Sequence, residues 1–351
     1  MSHIYNSILE TIGDTPMVAL QHIGKETKHK FFAKVEYFNP GGSIKDRVAV
    51  AMIEEAEKRG DLKPGGTIVE ATSGNTGVGL GLVAAVKGYK CIFVMPQKMS
   101  DEKRAILKAY GAQVVITPMV EPDHPMSHYS VAKKIAAETP GAFLVNQFHN
   151  NDNPTRHYQS TGPEMWNQMD GKIDMLVGGA GTGGTLSGCA KYLKEKNPAV
   201  KVFCADPVGS ILFDLFYSKK IVDPPGSYMV EGIGEDMLPD NVHLDIYDGF
   251  VRVNDQEAFA MTRRLVAEEG LLVGPSSGAA LVGAMKAAEK FDKPMNIVVI
   301  LPDSGRQYLS KAFNDQWMVD NKLLKADDVK NAFNRVITAE EAIQNLSKNR
   351  N

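Results

Sequence analysis

Phe38-Asn39-Pro40-Gly41-Gly42-Ser43-Ile44-Lys45-Asp46-Arg47 is the stretch around which this chain of 351 residues is organised. Asn-Pro-Gly-Gly is concentrated turn chemistry: proline holds φ near one value, and glycine admits backbone angles that other residues avoid. Ser43 is a helix-capping residue, and Val48, Ala49, Met52, Ile53 and Ala56 recur at helical spacing until Gly60. Lys45 is therefore expected in the first turn of a helix, directly after a rigid loop. Helix N-termini favour negative charge by about 0.3–1 kcal/mol, so an ammonium is oddly placed there. Dipole and partial burial would both lower its pKa, towards a free amine able to form a Schiff base. The plain alternative is one more surface lysine.

Outward from this helix, strand and helix alternate almost without interruption. Strands are expected at residues 67–70, 91–95, 113–117 and 143–146, with helices at 75–86, after a Ser100 cap, and at 126–138. The second half repeats the grammar: a helix at 154–169, a strand at 173–177, a glycine loop and a helix to Glu195. A strand at 200–205, helices at 256–268 and 279–290, and a strand at 296–301 follow. Such a run of βα units implies an α/β fold of open, twisted parallel sheet with helices on both faces. Residues 218–238, with two prolines and EGIG, form the longest irregular stretch, a mobile segment suited to closing over a site. From Lys325 the chain turns polar and reads as an appended tail.

Composition is that of an ordinary soluble globular protein, with 43% hydrophobic and 23% charged residues. Lys+Arg of 39 against Asp+Glu of 42 leaves a net charge of −3, which gives no reason to expect nucleic acid or an anionic membrane as partner. The first residues, MSHIYNSILE, lack a signal pattern, and no run approaches the roughly 20 apolar residues of a membrane span. Cys91, Cys189 and Cys204 are widely separated, with no C-x-x-C pair. They read as reduced, buried core residues of a cytoplasmic protein, and no metal is expected.

Two further glycine-rich loops carry chemistry. Gly181, Thr182, Gly183, Gly184 and Thr185 follow a strand and open a helix, so free N–H groups and the helix dipole can bind a phosphate. The same loop also satisfies G-x-G-x-x-G from Gly179 to Gly184, and Asp206 lies about 20 residues on, as an NAD-dependent dehydrogenase would want. That rival leaves the Lys45 loop, the TSGNTG at residues 72–77 and the GPSSG at 274–278 unexplained. TSGNTG sits between a strand and a helix and suits a second anion, a substrate α-carboxylate, with hydroxyls from Thr72, Ser73 and Thr76. Ordinary capping is the alternative for these residues.

FNPGGSIKDR, TSGNTG, GTGGT and the PDSGRQYL from Pro302, in this order, resemble the cysteine synthase and cystathionine β-synthase family from about Ser7 to Leu324. The resemblance implies fold type II: two α/β domains with pyridoxal phosphate in the cleft between them. The smaller domain would comprise residues 1–16 and 38–150, the larger 17–37 and 151–320, and the tail 321–351. It implies Lys45 as Schiff-base former and general base, with Asn75 on the cofactor's ring oxygen and Ser276 facing the pyridine nitrogen. Gln147 would be a second contact to the substrate carboxylate, and Gly232 and Glu235 would border the substrate. The implied reaction is β-replacement on serine or O-acetylserine through an enzyme-bound aminoacrylate, with a thiol as second substrate, in a homodimer.

Within the family, the SDEK segment after Met99, DPVGSIL, VEGIG and DQWM lean towards the cystathionine-forming branch. PSSG and PDSGRQYLS lean towards the cysteine-forming one, whose thiol is sulfide. Haem and a regulatory nucleoside-binding module are not expected, because neither an N-terminal Cys/His extension nor a long C-terminal module is seen. Glu235 stands where the animal enzymes carry an aromatic residue. A carboxylate there would repel hydrosulfide and accept a hydrogen bond from the ammonium of homocysteine. A non-catalytic relative that keeps the fold is the remaining alternative.

Overall fold

The computed structural model describes residues 4–72, 74–97, 99, 101–121, 123–330 and 338–339. Its strands are β1 (Met17–Ala19), β2 (Lys30–Val35), β3 (Thr67–Ala71), β4 (Lys90–Pro96), β5 (Gln113–Thr117), β6 (Ala142–Leu144), β7 (Met175–Gly179), β8 (Lys201–Pro207), β9 (Gly249–Val253) and β10 (Asn296–Leu301). The helices are α1 (Lys45–Arg59), α2 (Asn75–Lys87), α3 (Asp101–Ala109), α4 (His128–Glu138), α5 (Asp152–Gln159), α6 (Thr161–Gln168), α7 (Gly184–Lys196), α8 (Leu212–Ser218), α9 (Asp255–Glu269), α10 (Pro275–Ala288), α11 (Asp315–Asp320) and α12 (Ala326–Lys330).

The strands form two sheets, one ordered β1-β2-β10-β7-β8-β9 and the other β5-β4-β3-β6. All pairings are parallel except β1 with β2. Central strands such as β3, TIVEA, are buried at every position, which a parallel sheet covered on both faces requires. Side chains alternate across the larger sheet: Met175, Val177, Val299 and Leu301 enter one core, and Leu176, Val298 and Ile300 enter the other. The smaller sheet divides likewise, with Ile68 and Phe93 on one face and Val69 and Val94 on the other.

Helix α1 packs its apolar stripe with α2 on the smaller sheet, and its C-terminus is closed by Gly60 at φ 79°. The loop before it belongs to the other sheet. Ile44 is buried among the larger sheet's residues, its N–H donates to Pro302 O at 2.8 Å, and Ser43 bridges Asp303. The rigid turn thus ties the start of α1 to the carboxyl end of β10, so Lys45 stands where the two sheets meet.

Several boundaries differ from expectation. The helix expected at 154–169 is broken at Ser160 into α5 and α6. Pro163 explains the break: inside a continuous helix it would lack an N–H for Gln159 O and clash with it, whereas in the first turn of α6 it does neither. Helix α10 begins at Pro275 rather than Ala279, so Ser276 lies inside the first turn and Gly274 is the N-cap. Ile44, not Ser43, is the N-cap of α1, although Ser43 Oγ accepts from Lys45 N at 3.2 Å. Helix α8 and strand β9 have no counterpart in the expected elements. In the tail α12 is short, and residues 331–337 and 340–351, like Ser73 and Ser100, lie outside the described residues.

Candidate active site

The carboxyl edges of β3, β7 and β10 converge on one cleft, the position where parallel α/β sheets bind ligands. Lys45, Gly181, Thr182, Gly183, Thr185 and Gly232 line it, with Ile233 and Ile300 as apolar wall. Lys45 is partly buried, and among the described residues its Nζ makes no hydrogen bond or ion pair. Burial drives its pKa below the usual lysine value, while the carboxyls of Asp303 and Glu235 oppose that shift.

The loop between β7 and α7 leaves no room for side chains. A Cβ on Gly181 would lie 2.6 Å from Gly232 O, and one on Gly183, whose φ is +82°, would lie 2.4 Å from Val242 Cγ2. The backbone therefore faces the cleft directly at the N-terminus of a thirteen-residue helix, as an anion site requires. Gly183→Ala is accordingly expected to destabilise the loop by about 1–3 kcal/mol and to weaken phosphate-ester binding, read by thermal unfolding and by fluorescence titration.

Across the cleft, the turn between β3 and α2 is held by Thr72, whose Oγ1 accepts from Gly74 N at 3.1 Å and Gly77 N at 3.3 Å. Thr76 donates its hydroxyl proton to Gln147 Oε1 at 2.6 Å, which leaves the Gln147 amide nitrogen as the donor on that wall. Gln147 Nε2 has a long contact to Ala71 O, at 3.4 Å, and the Gln147 side chain also hydrogen-bonds the Glu70 carboxyl. Beneath it, Glu70 accepts from Asn146 N at 2.7 Å, and burial pushes its carboxyl up to about 7. Asn75 Nδ2 donates to Asp303 Oδ2 at 2.8 Å, and Asn75 Oδ1 is buried without a partner. Ser276 is buried at the start of α10, near Asp303, whose carbonyl accepts from Gly274 N at 3.2 Å.

Glu235 approaches the phosphate-type loop: its Oε1 lies 3.6 Å from where a Gly181 Cβ would stand. Burial pushes its pKa up to about 8, above the ordinary value of an exposed loop carboxylate. The irregular segment around it is docked on β7, not free of the fold. Gly234 N donates to Ala180 O at 2.8 Å, and Ile233 packs against Gly179.

The sequence reading missed three groups of residues. Asp303 accepts from Asn75 and from Tyr308 Oη at 2.8 Å, and sits beside Lys45; it lay within PDSGRQYL, but nothing local marks an aspartate as buried. Glu231 bridges Lys103 and Lys311, residues too far apart in sequence to pair by spacing. Asn153 and His157 reach the threonines of the glycine loop, and their i, i+4 spacing on α5 is the signal that could have found them.

The dinucleotide reading fails on Asp206. It is fully buried at the end of β8 and accepts from Phe213 N at 2.9 Å, holding the start of α8 rather than a ribose. Among the described residues no cluster of His, Cys, Asp and Glu could hold a metal, and no helix is long and apolar enough to cross a membrane.

A lysine presented between two parallel sheets, opposite a glycine loop at a helix N-terminus, defines the fold type II class of cofactor-dependent enzymes. The family model described as pyridoxal-phosphate dependent enzyme matches residues 8–303, and the chain belongs to that family. It is 47% identical over 329 residues to cystathionine β-synthase of Oryctolagus cuniculus, covering 93% of this chain and 59% of that protein. The chain thus spans about three fifths of the length of such relatives. It is 43% identical over 306 residues to cysteine synthase of Staphylococcus aureus (strain Mu50), covering 87% of this chain and 96% of that one. The solved O-acetylserine dependent cystathionine β-synthase from Helicobacter pylori superposes with a TM-score of 0.81 at 38% identity, covering 88% of this chain and 99% of that chain.

The site's residues fit the cofactor that the family uses. The glycine loop is a cradle that side chains would fill, Lys45 has an uncommitted amine, and Asn75 carries an orphaned buried amide oxygen.

Proposed function

We propose that this chain catalyses β-replacement on serine or O-acetylserine, with homocysteine as the thiol and cystathionine as the product. The observation that carries the reading is Lys45, its amine uncommitted and of lowered pKa, facing the loop of Gly181, Thr182, Gly183, Gly184 and Thr185. Bound pyridoxal phosphate supplies the electron sink that lets an amino acid lose its α-proton. Lys45 would anchor that group covalently, the glycine loop would hold its phosphate, Asn75 its ring oxygen and Ser276 its ring nitrogen. A hydroxyl at the ring nitrogen, rather than a carboxylate, leaves that nitrogen without a proton.

Gln147 Nε2, set by Thr76, binds the substrate carboxylate together with the N–H groups of the turn after Thr72. Lys45 Nζ takes the α-proton; as an ammonium flanked by Asp303 and Glu235 it can pass that proton to the departing oxygen. Ile233 and Ile300 exclude water from the reacting carbon. We assign the cleft walls to a smaller unit of residues 1–16 and 38–150 and a larger unit of 17–37 and 151–320. Strand membership supports this, because β1 and β2 lie with β10 while β3 to β6 form the other sheet. A cytoplasmic homodimer is part of the same proposal, and the three free, buried thiols support the compartment.

Cysteine synthase activity is the second reading, favoured by the near-complete coverage of the staphylococcal enzyme. The visible spectrum during titration with serine and then O-acetylserine, followed by product analysis with homocysteine or sulfide, separates the two. Glu235 makes this sharper. An incoming homocysteine ammonium would lower the Glu235 pKa, so that its proton leaves to solvent and an ion pair forms, whereas sulfide offers no such partner. A charge-assisted bond of about 1.5–3 kcal/mol corresponds to roughly ten- to a hundredfold in kcat/KM. Homocysteine should therefore be the better thiol, and Glu235→Ala should narrow the ratio by weakening homocysteine. An unchanged ratio removes Glu235 from thiol selection.

A further inference from the structure

One face of α5 lies against the glycine loop. Asn153 and His157, one turn apart, are both buried and both end on a threonine of that loop. Asn153 Nδ2 donates to Thr182 Oγ1 at 2.9 Å and also to Gln147 O at 3.1 Å. Because a backbone carbonyl can only accept, the second bond fixes the amide's orientation and makes Thr182 Oγ1 an acceptor. His157 Nε2 lies 3.0 Å from Thr185 Oγ1, and His157 Nδ1 lies 2.9 Å from Thr161 Oγ1. Thr161 is fully buried at the start of α6, and its hydroxyl has no hydrogen-bond partner besides His157 among the described residues. Burial holds the imidazole neutral, far below its ordinary pKa, so one ring nitrogen donates and the other accepts.

We infer that Asn153 and His157 are positioning residues that turn the hydroxyl protons of Thr182 and Thr185 outward, onto the cofactor phosphate. Thr161 donates to His157 Nδ1, which leaves Nε2–H to donate to Thr185 Oγ1. Each loop threonine then accepts from α5 and has its own proton left for the cleft, which both residues line. Orientation is set before the anion arrives, so the loop presents two aimed O–H donors in addition to its N–H groups. A threonine rotor without such a partner would meet the phosphate in several orientations, and ordering it would reduce affinity. The same α5 contact joins the phosphate loop to the Gln147 backbone, whose carbonyl also accepts from Asn241 Nδ2 at 2.9 Å.

This inference rests on the proposed phosphate role of the glycine loop, and one set of measurements separates the two. Dissociation constants for pyridoxal phosphate and for pyridoxal, which lacks the phosphate, are measured on the full chain after resolution of the cofactor. They are paired with the 31P shift of the loaded protein. Wild type, His157→Leu, His157→Gln, Asn153→Leu and Thr161→Val are compared, with thermal unfolding of each as the folding control.

Each Leu variant should weaken pyridoxal phosphate by about tenfold, leave pyridoxal within about twofold and move the 31P resonance. His157→Gln, whose amide N–H can replace Nε2–H, should recover most of the loss. Thr161→Val should lower affinity too, since Nδ1 then loses the donor that selects the tautomer. Equal weakening of both ligands, or His157→Gln no better than His157→Leu, overturns the inference and leaves α5 a packing element. If the wild type itself binds the two ligands equally, the phosphate assignment of the loop falls first.

Discussion

Lys45→Ala should bind pyridoxal phosphate without the borohydride-reducible linkage of the wild type and lose at least about a thousandfold in turnover with serine or O-acetylserine. The expectation follows from position. Lys45 has the uncommitted amine among the cleft-lining residues, it is held in the first turn of α1, and burial lowers its pKa. Among the described residues the nearby lysines are committed elsewhere: Lys103 is engaged with Glu231, and Lys34 with Glu164. Absorbance and fluorescence before and after borohydride, mass spectrometry of the reduced protein and a product assay check it. Normal turnover with an unlabelled residue 45 would overturn the proposed chemistry. Loss of the linkage in a protein that still binds pyridoxal phosphate would separate anchoring from recognition by the glycine loop.

The largest expected effect on stability comes two residues later. The Arg47 guanidinium is fully buried and makes a fork to Glu36, with Nε to Oε2 at 2.7 Å and Nη2 to Oε1 at 3.0 Å. A second pair of bonds, both 2.6 Å, reaches Glu164 on α6, and Lys34 Nζ joins Glu164 at 2.8 Å. Arg47→Ala leaves the buried Glu36 without its cation and Glu164 with Lys34 alone. Breaking a buried pair in this way costs about 3–5 kcal/mol, although replacing the whole network by packed apolar groups could be neutral. Urea unfolding should show that loss, and Arg47→Lys should recover only part of it, because an ammonium cannot fork to two carboxylates.

The same network predicts an acid limb. Arg47 and Lys34 hold Glu164 down at about 2, against an ordinary 4.5, even though burial alone would raise it. A folded-state pKa below the unfolded one means that this stabilisation is complete above about 4.5 and is lost as pH falls towards 2. Stability of the wild type should therefore decline through that window, and the Arg47→Ala variant should show a shallower decline. Equal slopes would mean that Glu164 does not carry the dependence.

Much of the site could be read from local chemistry. Asn-Pro-Gly-Gly before a helical repeat puts Lys45 at a helix start, because proline and glycine restrict or free the backbone whatever packs around them. The glycine loop at 181–185 was legible for the same reason, since its φ values and close approaches depend on missing side chains. Strands β5 and β10 fell at their expected bounds, as runs of β-branched residues flanked by turns. The break at Ser160 was legible too, had Pro163 been weighed against the helical period.

Pairings across the fold were not legible, because their energy depends on where distant segments meet and not on spacing. Asp303 looks like any strand-end acid until β10 brings it against Asn75 and Lys45. His157 looks like a surface histidine until α5 packs on α7 and its ring comes to lie between two threonines. Glu235 illustrates the difference most directly. As a loop residue its sequence context implies a solvated carboxylate, whereas docking of its segment on β7 removes the water that would keep it ionised. Local backbone chemistry thus determined the two helix starts that face each other across the cleft. Tertiary packing alone decided which side chains there are buried, which are paired and which keep a proton, since desolvation is a property of the assembled fold.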